Sequence, residues 1–371
     1  MHILIAPDKF KGSLGAREVA ENVAAGLREV LPQAKIEIVP MADGGEGTAQ
    51  VICDALGGKW VTCSAHDPLG HRVEARYAWV DGRKLAVIEM SEVAGMRRLR
   101  ESERDPLRAS TFGVGEMLLD AMKRGAREIV VGLGGSATND GGLGMARALD
   151  FRFLHADGGA IESIVDLSAM DRIERPNGAT PVPLHMIAAA DVRNPLLGEK
   201  GATRIFGPQK GATEEKIEIL ERALTRLADV VAKDLGCDFR EEPGAGAAGG
   251  LGFGLMSFCG AKIQPGFDVV AEASSLESKM KNADVVITGE GSLDRQTLEG
   301  KTPAGVARLA RKLGKRIFAI VGRGSDDGKV RELFDSVHVL TRPGMSEQES
   351  IARAPELLRE EARKLTKTLM E

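Results

Sequence analysis

Met1-His2-Ile3-Leu4-Ile5-Ala6-Pro7-Asp8 opens the chain and sets its fold class. An apolar run this short, rich in β-formers and met at once by an acid, reads as a buried parallel strand over His2–Pro7. Outward from it, Ser13 is placed to cap a helix running to about Leu31. Val19, Val23, Leu27 and Val30 recur there at helical spacing, and Pro32 stops the run. Lys35–Pro40 reads as a second strand and Gly47–Leu56 as a helix closed by Gly57-Gly58. Strand, helix, strand, helix is the start of an open α/β sheet.

The rhythm then changes. Lys59–Ala65, Arg72–Val80 and Lys84–Met90 read as an antiparallel meander, with Val73, Ala75, Tyr77 and Trp79 alternating and Asp81-Gly82 as the hairpin turn. Helix Gly113–Arg124, strand Arg127–Val131, strand His185–Ala190, helix Glu214–Leu235 and the glycine-dense segment Gly244–Gly254 follow. From about Phe267 crossover units return: strand Asp284–Thr288, helix Pro303–Leu313, strand Arg316–Val321, strand Ser336–Leu340 and a C-terminal helix. The sequence thus predicts a two-domain α/β protein. Residues 1–58 and 267–371 form a Rossmann-like open parallel sheet domain built from both chain ends. Residues 59–266 form a second, mixed α/β domain inserted in it. Such an insertion places a cleft between domains, a usual home for a small ligand.

Length and charge agree. At 371 residues the chain is long for one core. A net charge of −4 and an aromatic content of 4% leave neither a basic footprint nor stacking platforms for nucleic acid. No apolar run approaches the ~18 residues of a membrane span, and the N-terminus lacks the basic and long apolar regions of a signal peptide. Neither nucleic acid nor membrane is expected as a partner. Cys53, Cys63, Cys237 and Cys259 are scattered without a C-x-x-C pair, so free thiols in a reducing cytoplasm are expected.

Three strand ends are followed by glycine plus acid: Ala42-Asp43-Gly44-Gly45-Glu46-Gly47-Thr48, Gly132-Leu133-Gly134-Gly135-Ser136-Ala137-Thr138-Asn139-Asp140-Gly141-Gly142, and Gly289-Glu290-Gly291-Ser292-Leu293-Asp294. In open α/β sheets ligands bind outside the carboxyl ends of strands. Glycines let backbone N–H groups approach an anion, and acids beside them suit a metal or a substrate hydroxyl. Tight turns explain any one such loop; three together favour a phosphate-and-Mg²⁺ site. Lys9 and Lys11, between the first strand and its helix, are placed to hold a carboxylate or phosphate, and Arg193 has a similar case. Gly300-Lys301-Thr302 ends like a Walker A loop, but Arg295 holds the required earlier glycine position. Gly132-Leu133-Gly134-Gly135-Ser136-Ala137 fits G-x-G-x-x-A, which leaves an NAD(P)-dependent hydroxy-acid dehydrogenase as the alternative.

These loops, with Ala6-Pro7-Asp8-Lys9-Phe10-Lys11-Gly12-Ser13-Leu14, Asp191-Val192-Arg193-Asn194-Pro195-Leu196 and Gly207-Pro208-Gln209-Lys210-Gly211-Ala212, occur in an order that resembles the bacterial glycerate kinase family across essentially the whole chain. The resemblance implies transfer of the γ-phosphoryl group of ATP to a hydroxyl of D-glycerate with Mg²⁺. It also implies a two-domain fold with the site between the domains. 2-Phosphoglycerate is placed ahead of 3-phosphoglycerate as product; the residues themselves do not choose between the C2 and C3 hydroxyls, and say nothing of oligomeric state. Phosphoryl transfer needs positioning, charge neutralisation and an acceptor for the hydroxyl proton. On that chemistry Asp191 is the candidate base with Asp294 in reserve, and Lys9 and Lys11 act on the transferring group. Arg193, Ser136, Asn139 and Asp140 bind substrate. Gly44, Gly45, Gly47, Gly134, Gly135, Gly289 and Gly291 cradle phosphates. Asp43, Glu46 or Glu290 holds the metal.

Overall fold

The structure, a computed structural model, describes residues 1–176, 185–294, 301–324 and 327–370. It divides into two compact units, Met1–Asp43 with Gly266–Glu371, and Gly44–Pro265.

The first unit is built on a five-stranded sheet in the order Ser336–Val339, Arg316–Val321, Val285–Thr288, His2–Ile5, Lys35–Ile38, with every neighbouring pair parallel. Ile3, Leu4 and Ile5 are fully buried, as expected of a strand covered on both faces. Ile3 and Ile5 pack with Val19, Val23 and Leu27 of helix Ala16–Val30 and with Leu357 and Leu365 of helix Ala354–Met370. These two helices approach so closely that a Cβ on Gly26 would lie 2.4 Å from the Arg359 carbonyl oxygen, so a glycine is required there. The first helix starts two residues later than its sequence suggests. Glu18 reaches back to accept from the Gly15 N–H at 2.8 Å, while Ser13 donates its hydroxyl to the Ile351 carbonyl. The carboxylate at the third helical position thus outcompetes the serine as the cap.

The second unit carries a six-stranded mixed sheet in the order Lys262–Gln264, His185–Ala189, Glu128–Gly132, Leu85–Glu89, Arg72–Val80, Lys59–His66. The first four strands run parallel and the last three form the expected antiparallel meander. The turn after Val80 is as long as 81–84, and Lys84 rather than Gly82 takes the left-handed conformation, with φ +51°. Helix Glu214–Leu235, with a Thr213 cap and a left-handed Gly236 at its end, packs on the turn Ile164–Ala169 and the short strand Arg172–Glu174. A small antiparallel pair, Arg152–Leu154 with Arg172–Glu174, is an addition that the sequence pattern did not show. Helix Thr48–Ala55 packs on strands Arg72–Val80 and Leu85–Glu89, so the chain divides after Asp43 rather than after Gly58. All four cysteines are free. Among the described residues no helix is long and apolar enough to cross a membrane.

Candidate active site

In the first unit, the strand order fixes where a ligand can bind. The chain leaves His2–Ile5 toward Lys35–Ile38 on one side, and leaves Val285–Thr288 toward Arg316–Val321 and Ser336–Val339 on the other. The connections therefore diverge between His2–Ile5 and Val285–Thr288, the point at which an open α/β sheet leaves a crevice beyond its carboxyl ends. Two of the signature loops meet there: the Asp8 N–H donates to the Gly289 carbonyl at 2.8 Å. The glycines permit the approach. A Cβ on Gly289 would lie 2.2 Å from the Ile320 carbonyl oxygen, and one on Gly322 would lie 2.3 Å from that of Gly291.

A cavity of about 660 Å³ opens at this crevice, lined by Asp8, Lys9, Lys11, Asp43, Glu290 and Lys301 among others. Of the residues expected at a site, Asp43, Glu290, Lys9 and Lys11 line this one cavity. Asp8, which the sequence reading passed over in favour of its lysine neighbours, is a buried and firmly held acid. Its carboxylate accepts the Thr302 hydroxyl and the Lys9 backbone N–H, both at 2.6 Å. Burial, and then the charge of Asp43, push its pKa up to about 6, against the opposing pull of Lys9 and these two hydrogen bonds. Its signal in the sequence was an acid at the carboxyl end of the first strand. Thr302 begins helix Thr302–Lys312, and the Lys301 ammonium lies 3.4 Å from both Asp294 oxygens. Lys301 and Thr302 of the Walker-like ending therefore belong to the site; Gly300 and Arg295 lie outside the described residues.

A buried carboxylate whose pKa is raised partly by a second acid fits a divalent cation, which would relieve that repulsion. Among the described residues no three His, Cys, Asp or Glu side chains converge into a complete metal cage. The fit is that of Mg²⁺, which takes one or two carboxylates and draws its other ligands from water and phosphate. The Glu46 carboxylate pairs with Arg97 at 3.1 Å in the second unit.

In the second unit, the other two glycine loops lie backbone to backbone. A Cβ on Gly132 would lie 2.6 Å from the Gly44 carbonyl oxygen, and one on Gly134 would lie 2.5 Å from the Gly45 Cα. Much of the anion-binding capacity expected of them is already engaged. The Glu89 carboxylate accepts the Gly47 and Ala49 N–H groups, both at 2.9 Å, at the start of helix Thr48–Ala55. The Gly135 carbonyl accepts the Met96 N–H, and the Ala137 N–H donates to Ala94, so the turn is pinned to residues 94–96. Gly135 itself is exposed at the tip, whereas Ser136 is buried beside it. The dinucleotide fingerprint lacks its context, since the next helix, Leu143–Ala148, begins well after Ala137 and Gly134 is covered by Gly45.

Asn139 and Asp140 were expected to bind substrate, but both are buried and serve the loop. Asp140 accepts the Thr111 N–H at 2.8 Å, the Thr111 hydroxyl, and the Gly142 and Gly144 N–H groups at 3.1 Å. Burial pushes its carboxyl above the usual range, against those four donors. Asn139 donates to the Thr203 hydroxyl at 2.9 Å. Beneath the loop the fully buried Lys210 ammonium donates to the Thr138 carbonyl at 2.7 Å, and burial pulls its pKa down to about 7. Lys210 lay in a quoted motif without an assigned role. Asp191 follows strand His185–Ala189 at its carboxyl end, partly buried, and Arg193 is exposed beside it.

The comparisons with known proteins point one way. The model of the glycerate kinase family matches residues 3–370. A glycerate kinase of Halalkalibacterium halodurans is 42% identical over 98% of this chain and 97% of its own. A glycerate 2-kinase of Escherichia coli K12 is 42% identical over 88% of this chain and 86% of its own. The crystal structure of an inferred glycerate kinase 2 from Salmonella typhimurium LT2 superposes with a TM-score of 0.89 at 40% identity, covering 100% of this chain and 98% of that one.

Proposed function

The chain belongs to the glycerate kinase family, and we propose that it transfers the γ-phosphoryl group of ATP to D-glycerate with Mg²⁺, giving 2-phosphoglycerate ahead of 3-phosphoglycerate. The observation that carries this reading is the cavity at the crevice of the parallel sheet, where Asp8, Asp43 and Glu290 share a lining with Lys9, Lys11 and Lys301. Acids and lysines together suit a metal–phosphate ligand and little else of that size. The preference for the C2 hydroxyl is supported by the Escherichia coli relative, named a glycerate 2-kinase.

In this reading one or two of the cavity acids Asp43, Glu290 and Asp8 would hold the cation, which supplies neutralisation of the phosphate charge when bound. Lys9, Lys11 and Lys301 add positive charge along the phosphates. Asp191 takes the proton of the glycerate hydroxyl, and Arg193 binds the glycerate carboxylate. Asp294 is the weaker candidate for base, because its carboxylate is already engaged in an ion pair with the Lys301 ammonium. Gly135, exposed at its loop tip, and neighbouring Ser136 are the candidate substrate contacts of that loop. The direct test is ADP release with D-glycerate and ATP, with and without Mg²⁺, followed by ³¹P NMR of the product. Metal- and glycerate-dependent turnover with phosphorus coupled to the C2 proton is expected. Folded protein that releases no ADP overturns the assignment, and coupling to the C3 protons overturns the regiochemistry.

A further inference from the structure

The cavity of the first unit is far larger than a three-carbon acid needs, and its lining changes character along the sheet edge. At about 660 Å³ it lies in the range of pockets that enclose drug-sized ligands. The strand order lays out the chemistry. At one side, beyond Ser336–Val339, stand Leu340, Met345 and Ile351; in the middle, Gly322 and Gly291; at the other side, beyond His2–Ile5 and Lys35–Ile38, Asp8 and Asp43. Three strand spacings separate the apolar side from Asp8, roughly 14 Å along the edge. A nucleoside triphosphate spans that length with an apolar base at one end and phosphates at the other; glycerate does not.

The apolar side is open. Ile351 is 38% exposed and Met345 partly so, while Leu340 forms the buried floor beneath them. Short helix Glu347–Ala352, which carries Ile351, is fixed in place by the Ser13 hydroxyl on the Ile351 carbonyl and by Arg323 on Glu347 at 2.9 Å. The Thr341 hydroxyl donates to the Gly322 carbonyl at 2.8 Å, joining the apolar wall to the glycine loop. An unbranched methionine beside an aliphatic wall adapts well to a flat heterocycle.

We propose that the base of the nucleotide lies over the carboxyl ends of strands Arg316–Val321 and Ser336–Val339, against Leu340, Met345 and Ile351, with its phosphates running past Gly322 and Gly291 toward Asp8 and Asp43. This placement rests on the kinase reading above but assigns residues that neither the family nor the relatives' names specify. It is tested by calorimetric titration of Mg²⁺-ADP and of Mg²⁺-pyrophosphate into the wild-type chain, the Met345→Ala/Ile351→Ala double variant, and Ile351→Glu as a second variant on an exposed position.

Loss of two apolar contacts should weaken ADP about tenfold and leave pyrophosphate within about twofold, since only the base touches them. The KM for ATP should rise in step, with the KM for glycerate moving less than about twofold. ADP affinity unchanged in both variants, while wild type turns over glycerate, overturns the base placement alone. So does an equal loss for ADP and pyrophosphate, which would mark a general disturbance of the unit. Wild-type protein that neither binds ADP nor releases it from ATP with glycerate overturns the kinase reading and this placement together.

Discussion

Lys210→Met isolates the energetic consequence of burying a lysine beneath the Ser136–Asp140 loop. Lys210 is 1% exposed, its ammonium meets the Thr138 carbonyl at 2.7 Å, and burial lowers its pKa from 10.5 to about 7, with Asp140 as the nearby acid opposing the shift. That gap corresponds to a penalty on the order of 5 kcal/mol for keeping the charged form buried. The unfolded chain holds the proton up to about pH 10.5 and the folded chain releases it near pH 7, so between these values the unfolded state binds more protons and stability rises with pH. Below about pH 7 both states are protonated and the penalty is present in full. Methionine has a similar length and no proton to lose. Its difference from wild type should therefore shift in favour of wild type by about 1.4 kcal/mol per pH unit between about pH 7 and pH 9. Urea unfolding of both proteins, followed by tryptophan fluorescence, measures this directly. Trp60 and Trp79 are the only tryptophans, and both lie in the Gly44–Pro265 unit that contains Lys210. Titrations of groups that do not interact with Lys210 cancel in the difference. A stability difference that stays constant with pH would refute the buried, proton-releasing lysine and leave Lys210 as an ordinary hydrogen-bond donor.

Three further outcomes follow from the same geometry. Asp191→Asn should lower kcat on the order of 10²–10⁴-fold with an unchanged melting temperature; a lost melting temperature with retained kcat would make Asp191 structural. Thr302→Val removes the 2.6 Å donor to buried Asp8 and should cost about 1.5–3 kcal/mol in thermal unfolding, the range for a hydrogen bond to a charged group. Gly134→Ala forces a Cβ to within 2.5 Å of the Gly45 Cα, where no side chain can move aside. A loss of about 1–3 kcal/mol, typical of overpacking, should appear with reduced turnover, and a variant as stable and active as wild type would show that the two loops separate freely.

Much of the architecture was legible because period and punctuation agreed. Glu214–Leu235 carries a helical apolar face between a threonine cap and a left-handed glycine, and the structure places that helix at the same residues. The meander was legible from strict alternation through Val73, Ala75, Tyr77 and Trp79. Where the reading fell short, the deciding partner was remote in sequence or the element too short. Arg152–Leu154 and Arg172–Glu174 have three residues each, less than two periods of alternation. Helix Thr48–Ala55 carries no mark of the sheet it will pack on, and its assignment to the second unit follows from strands that come later in the chain. Gly47 has the sequence of a phosphate-binding turn, yet its N–H is taken by Glu89, which lies in the next sheet strand but two. No local pattern announces that pairing.

The acid-and-glycine loops therefore divide by burial and partner count, and that division separates ligand-facing acids from loop-holding ones. Asp140 has four donors supplied by its own unit and no access to solvent, so a ligand has nothing left to offer it. Glu89 likewise answers two N–H groups of a helix start, giving the anion that the dipole favours without any phosphate. Asp8 differs. It is also buried, but it shares the lining of an open cavity with a second acid, and its pKa is raised to about 6 by burial and then by that acid. A carboxylate that repels its neighbour beside open space is a poor structural element and a good cation ligand. The same residue types after the same kind of strand end thus differ in setting: Asp140 and Glu89 of the second unit stiffen loops with internal donors, and Asp8, Asp43 and Glu290 of the first line an open cavity beside lysines.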